Sequence, residues 1–302
     1  MPPILALLLA AGTSLLPSAL AHSHINYLII NGLLYPGFDP TGRTHNRNNT
    51  VGWSTTAADD GFVPPSNYSS PDIICHVNGA PALAHAPVPQ GAKIHLQWNG
   101  WPQSHHGPVL SYLAPCDSTT GCSTVNKTAL EWTKIDNSFP ALIDETPSPP
   151  GDWATDVLIA SNNSWQVGIP ANLAPGPYVL RHEIIALHYA NRKDGAQNYP
   201  QCVNLWVHSA EGAAAATPTK TLSLGAGVGT PATRLYKATD PGVTVDIYTK
   251  LGTYVIPGPT VVAGVTPVPL AQQRVSSVPT ADGTALLVTA GKTVPFLGPT
   301  GR

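Results

Sequence analysis

Tyr178-Val179-Leu180-Arg181-His182-Glu183-Ile184-Ile185-Ala186-Leu187-His188 admits two readings, and the choice between them decides the fold. Read as a helix, His182-Glu183 followed by His188 imitates the zinc-peptidase pattern H-E-x-x-H. That pattern needs histidines four apart on one helical face. Here they are six apart, and the β-branched residues around them favour an extended chain. Read as a strand, the run has company. Similar runs occur at Ile25–Ile30, Ile73–Val77, Lys93–Trp98, Val109–Ala114, Trp165–Ile169, Cys202–Val207 and Thr244–Ile247. Clusters of Pro, Gly, Asn and Asp punctuate them as turns punctuate strands. No long stretch keeps a helical period from end to end, which argues against parallel β/α winding. The chain reads as all-β, an antiparallel immunoglobulin-like β-sandwich. Leu33–Ser70 and Phe139–Trp153 are then long loops, which gather at sheet ends and often carry function.

The start of the chain reads as a secretory signal. Ile4–Leu16 is apolar, Pro17 breaks it, and Ala19-Leu20-Ala21 is a small-residue cleavage site. The run is shorter than the ~20 residues a bilayer-spanning helix needs. Residues 1–21 are therefore expected to be removed, leaving His22 as the mature N-terminus of a secreted, extracellular protein. Residues 22–259 form the expected sandwich domain. Residues 260–302 have few charges and no Trp or Cys, and are expected to be a weakly ordered, dispensable tail. The stretch Glu211–Pro231, rich in Ala, Thr and Gly, reads as a flexible excursion. A formal charge of −2 with 11% charged residues makes a poor polyelectrolyte partner, so nucleic acid and anionic membranes are not expected ligands.

Secretion makes disulfides the default for Cys75, Cys116, Cys122 and Cys202. Cys116 and Cys122 are close enough to staple a loop, leaving Cys75 and Cys202 as a long-range pair. Spacing alone leaves other pairings open. Sequons at Asn48, Asn67, Asn126 and Asn162 fit a glycosylated surface.

Most of the eleven histidines read as surface or satisfied structural groups: His24, His45, His76, His85, His95 and His208 lack any partner pattern. His105-His106 is followed by Gly107-Pro108, a turn that would present one of the two. On an extended chain neighbours point opposite ways, and the pattern does not say which is presented. Gln197 and Tyr199 are two apart and share one side of an extended segment. Asp59, Asp72, Asp144, Glu145 and Asp152 lie scattered in loops, with no spacing that marks a glycosidase pair. No G-x-S-x-G occurs. His22 stands apart from all of these: cleavage before it would give one residue two nitrogen donors, the α-amine and the imidazole.

Together these pieces resemble a fungal, cellulose-active lytic polysaccharide monooxygenase of auxiliary activity family nine, formerly glycoside hydrolase family sixty-one. The resemblance rests on His22, Trp53-Ser54-Thr55-Thr56, Pro71-Asp72-Ile73-Ile74-Cys75-His76, Trp101 to Val109, Arg181 to His188, Gly195 to Cys202 and Tyr254 to Pro259. It implies one copper ion per chain, held by the amine and ring of His22, the ring of His105 and, axially, Tyr199. Imidazole and amine donors in tetragonal array suit Cu(II). It implies that His188 and Gln197 assist by hydrogen bonding beside the open position, that Tyr254 is a surface aromatic stacking on the glucan, and that the bridges are Cys75–Cys202 and Cys116–Cys122. The implied reaction is oxidative cleavage of cellulose or a related β-glucan, using O2 or H2O2 and a small-molecule or protein electron donor, by a monomer with a flat active face. The competing reading is a non-catalytic copper- or polysaccharide-binding protein with the same sandwich.

Overall fold

A computed structural model describes residues 23–42, 50–210, 221–225, 227–273 and 281–288. In chain order its elements are β1 (Ile25–Ile30), β2 (Leu33–Pro36), α1 (Asp72–Cys75), β3 (Ala84–Pro89), β4 (Lys93–Trp98), β5 (Val109–Pro115), β6 (Glu131–Asp136), β7 (Leu142–Asp144), β8 (Asp152–Trp153), α2 (Ala154–Ala160), β9 (Ser164–Gly168), β10 (Gly176–Ala186), β11 (Gln197–His208), β12 (Thr230–Pro231), β13 (Ala281–Asp282) and β14 (Leu286–Leu287). One sheet runs β13-β2-β1-β4-β9, the other β12-β6-β5-β10-β11-β3-β14, and β7 and β8 form a separate ribbon. The protein is a β-sandwich.

The opening stretch lies in β10, at the centre of the larger sheet, antiparallel to β5 on one side and β11 on the other. All of its residues from Pro177 to Ala186 are buried. Strands normally alternate buried and exposed residues, and a strand loses that alternation when both faces are covered. On the inner face, Leu180, Ile184 and Ala186 join the core between the sheets with Leu28, Ile94, Leu96, Trp98 and Trp165. On the outer face, Val179 and Ile185 join a second core, roofed by α1 and residues 232–256.

Arg181 and Glu183 fasten that roof. The guanidinium donates to Glu183 Oε2 at 2.7 Å and Oε1 at 2.8 Å. It also donates to the carbonyls of Ile73 and Ile74 at 2.8 and 2.9 Å. Glu183 further accepts from Asn198 Nδ2 at 2.8 Å and from the Tyr236 hydroxyl. The glutamate that imitates a peptidase base is thus the hub of a buried structural network. Arg181 also explains a difference from the sequence expectation: residues 72–75 are the short helix α1, not part of a strand, and the carbonyls such a helix leaves over at its end are met by the guanidinium. Thr244–Ile247 is not a strand either. Asp240 O accepts from Val243 N and Thr244 N, and the Asp246 carboxylate accepts from Tyr248 N at 3.0 Å, which folds the segment into turns.

Disulfides join Cys75 to Cys202 and Cys116 to Cys122. The first ties α1 to β11. Part of the segment 260–302 lies among the described residues. Residues 281–282 pair with β2, residues 286–287 pair with β3, and the Gln273 side chain is fully buried. The chain there has few charges because it covers apolar surface: Val262, Val265 and Leu270 pack on the inner core. In Glu211–Pro231, residues 211–220 and 226 lie outside the described residues. Leu222 N donates to Asn172 O at 2.7 Å and Ala174 N donates to Leu222 O at 2.9 Å, and β12 pairs with β6.

Candidate metal centre

The turn after Trp101 is built by local bonds. His105 N donates to Pro102 O at 3.0 Å, and Trp101 Nε1 donates to His105 O at 2.9 Å. Gly107 then passes so close to β10 that a Cβ on it would meet Ile185 O at 1.9 Å; only glycine fits. Leu187 N donates to His106 O at 2.9 Å and Ile185 N to Pro108 O at 3.2 Å. The turn is therefore bonded to the end of β10, which delivers His188.

The two adjacent histidines part company here. His106 Nδ1 bonds Asp156 Oδ2 of α2 at 3.0 Å. His105 is buried and its ring stacks on His188 at 3.9 Å between centroids. Ser104 Oγ lies 3.1 Å from His105 Nδ1. The register Ile184↔Tyr199 and Ala186↔Gln197 brings the β11 pair to the same end. Tyr199 is fully buried and donates to Gln197 Oε1 at 2.8 Å. Burial raises its phenol pKa and keeps it neutral. Trp101 sits between the groups, edge-on to Tyr199 at 5.0 Å and to His105 at 6.0 Å. Sequence reasoning left Trp101 without a role, although its place four residues before His105 was a usable sign.

His22 lies outside the described residues, as does the sequon at Asn48. The residues that follow His22 are anchored. Ser23 Oγ and His24 N donate to Asn99 Oδ1 at 2.6 and 3.0 Å, and His24 Nδ1 bonds Asp60 Oδ1 at 2.8 Å. Asn99 lies six residues before His105, so Ser23 and His24 are anchored to the segment that leads into the His105 turn. Among the described residues, no three His, Cys, Asp or Glu side chains form a metal cluster. A conventional three-side-chain zinc site is not built there, whereas a centre that takes two donors from His22 and one from His105 requires no such cluster. The donor set fits copper in chemistry.

Tyr254 is half-buried. Its ring packs edge-on against Trp153 at 4.9 Å, and its hydroxyl donates to Gly242 O at 2.6 Å. The exposed aromatic of this loop is Tyr248, 53% accessible, whose exposure the sequence pattern did not signal. Asn67, Asn126 and Asn162 are exposed. Of the scattered carboxylates, Asp59 and Asp144 cap their own turns, Asp72 accepts from Asn78 N, and Glu145 accepts from Leu251 N and Gly252 N at 2.6 and 2.7 Å. Asp152 lies opposite Asp144 in the β7–β8 ribbon.

Residues 22–254 match the model of Auxiliary Activity family 9, formerly GH61. The chain belongs to this family. It is 49% identical over 266 residues to AA9 family lytic polysaccharide monooxygenase A of Talaromyces verruculosus, covering 87% of this chain and 76% of that one. It is 52% identical over 255 residues to AA9 family lytic polysaccharide monooxygenase E of Aspergillus tamarii, covering 82% and 95%. Among solved structures, the extended catalytic domain of H. jecorina LPMO9A superposes with a TM-score of 0.73 at 46% identity, over 88% of this chain and all of that one. Membership in this lytic polysaccharide monooxygenase family brings with it copper-dependent oxidative cleavage of a polysaccharide.

Proposed function

We propose that the protein is a secreted monooxygenase that cleaves β-1,4-glucan chains of cellulose, drawing electrons from a small-molecule or protein donor. The observation that carries the reading is that His105, His188, Gln197 and Tyr199 are brought to one end of the sandwich, with Ser23 and His24 anchored to Asn99, six residues before His105. The His22 amine and ring, the His105 ring and the Tyr199 phenol would hold one copper ion. When bound, copper supplies one-electron redox chemistry toward O2 or H2O2. The protein's own residues set the stage for it. Gln197 fixes the Tyr199 hydroxyl, Trp101 fixes the carbonyl of His105, and His188, stacked on His105, can hold or pass a proton at its ring nitrogens beside the reacting centre. Tyr248 offers an exposed ring to the substrate, and an aromatic contact on an open face suits a glucan at a crystal surface. Removal of residues 1–21 is part of the reading, since it creates the His22 amine.

Product analysis tests it. Copper-loaded protein with cellulose and a reductant should release aldonic acids or ketoaldoses, seen by mass spectrometry. Only ordinary reducing ends would indicate a hydrolase, and no product at all would favour the non-catalytic binding reading. One extra residue before His22 turns the α-amine into an amide with no lone pair for the metal. That form should lose most copper affinity by calorimetry while its melting curve is unchanged. His105→Ala should be severe and His106→Ala mild. The reverse order, or full affinity in the extended form, would overturn the centre.

A further inference from the structure

Two exposed tyrosines, not one, stand at this end of the molecule. Tyr189 follows His188 directly, and its ring lies 4.4 Å from the His188 ring between centroids. It is 47% accessible. A lone exposed tyrosine is ordinary on a protein surface; this one is mounted. Arg192 N donates to Tyr189 O at 2.9 Å, closing a turn, and Gly195 N donates to Arg192 O at 3.0 Å, closing the next. A Cβ on Gly195 would meet Tyr189 O at 1.7 Å, so the second turn is pressed onto the first. The Arg192 guanidinium lies 4.9 Å from the Tyr189 ring centroid, a cation–π contact that holds the ring on one side. Val245 N donates to Ala190 O at 3.1 Å, which ties this loop to the one that bears Tyr248. The two loops are thus joined, and Tyr248 lies near enough to Tyr189 for the two phenols to interact electrostatically.

We propose that Tyr189, braced by Arg192, is a glucan-contact subsite of its own, taking a glucosyl unit next to the bond that is cut. The argument is geometric. A pyranose ring offers C–H groups to an aromatic surface and hydroxyls around its rim. Tyr189 supplies the surface, and the planar guanidinium supplies N–H donors for the hydroxyls. Because the backbone turns already fix both side chains, little freedom is lost on binding. Tyr248 holds the chain at a second point, so the pair sets its direction across the site. The inference rests on the glucan reading above.

The test is calorimetric binding of a soluble cello-oligosaccharide to copper-loaded protein, with copper affinity and melting temperature measured alongside. Tyr189→Ala should weaken oligosaccharide binding roughly fivefold, the scale of one aromatic contact, while copper affinity and melting temperature stay at the wild-type values. Tyr189→Trp should bind like wild type. Arg192→Ala should weaken binding about twofold, and Arg192→Lys less. Wild-type affinity in Tyr189→Ala, with Tyr248→Ala impaired, would overturn this subsite and leave the glucan reading standing. A loss in Tyr189→Ala that is matched by lost copper affinity would make Tyr189 a support for His188 and would also overturn it. Failure of the wild-type protein to bind the oligosaccharide would bring down the glucan reading, and the subsite with it.

Discussion

At the scale of single residues, the buried ionisable groups are the most exposed to test. Glu183 holds four donors' worth of bonds from Arg181, Asn198 and Tyr236 inside the second core. Glu183→Gln keeps the shape but leaves the Arg181 cation buried without its counter-charge. Breaking one side of a buried pair costs about 3–5 kcal/mol, and urea denaturation should show a loss of that size. A loss below about 1 kcal/mol would mean the network is not closed as described. Two buried histidines give a pH dependence. Burial lowers His182 to about 3 and His85 to about 4, from an ordinary value of 6.5. Both are neutral in the folded protein, and His85 Nε2 accepts from Cys122 N at 2.8 Å. As pH falls below 6.5 the unfolded chain takes up protons that the native state refuses, so stability falls. The His85 contribution is lost down to about pH 4 and the His182 contribution to about pH 3, each at ~1.4 kcal/mol per unit. His85→Gln can still accept from Cys122 N, and its melting temperature should fall less steeply between pH 6.5 and 4. Parallel curves for variant and wild type would contradict the assignment.

At the scale of elements, the decisive contact is between the His105 turn and the end of β10. Gly107→Ala would force its methyl into Ile185 O. Overpacking of this kind costs ~1–3 kcal/mol, and because the same turn presents His105, copper affinity should fall as well. An unchanged affinity alongside a lowered melting temperature would separate the turn from the centre. The strands flanking this contact were legible from sequence because their patterns are local: β1 and β4 have the same bounds in the structure as in the sequence, and β5 and β10 differ by one or two residues. The segments that were misread answer to distant partners. The helix at 72–75 depends on Arg181, about a hundred residues on, and β3 depends on pairing with β11. The site was legible to the extent that its residues sit in compact motifs, His105 to Gly107 and Gln197 to Tyr199. Tyr248 and Tyr254, six residues apart, look alike in sequence, and only the Trp153 contact tells the half-buried one from the exposed one. Tyr189 carried no pattern at all; its mounting is a matter of backbone turns.

At the scale of the whole molecule, the segment after Pro259 covers sheet edges. An open edge strand presents unpaired N–H and C=O groups and invites association with other chains. Gln273 meets β9, the edge of the five-stranded sheet, as a strand would: its Oε1 accepts from Gln166 N at 2.7 Å and its Nε2 donates to Gln166 O at 3.2 Å. β13 covers β2 at the opposite edge of that sheet, and β14 covers β3 at the edge of the other. Gly283 rests on the Tyr35 ring, where a Cβ would come within 2.5 Å of it. Composition alone suggests that residues 260–302 can be deleted silently; these contacts reverse that. A chain ending at Pro259 should lose several kcal/mol, and at the roughly 2–4 °C per kcal/mol of a domain this size its melting temperature should fall by about 5 °C or more. It should also elute partly as oligomers, because three edges are opened together. A chain ending at Val288 keeps all three contacts and should melt and elute like the full protein. Copper affinity should be the same in both, since none of these edges carries His105 or Tyr199. If the shorter chain melted and eluted with the full-length protein, the edge-covering role would be wrong; if both truncations were equally damaged, the stabilising contacts would have to lie after Val288.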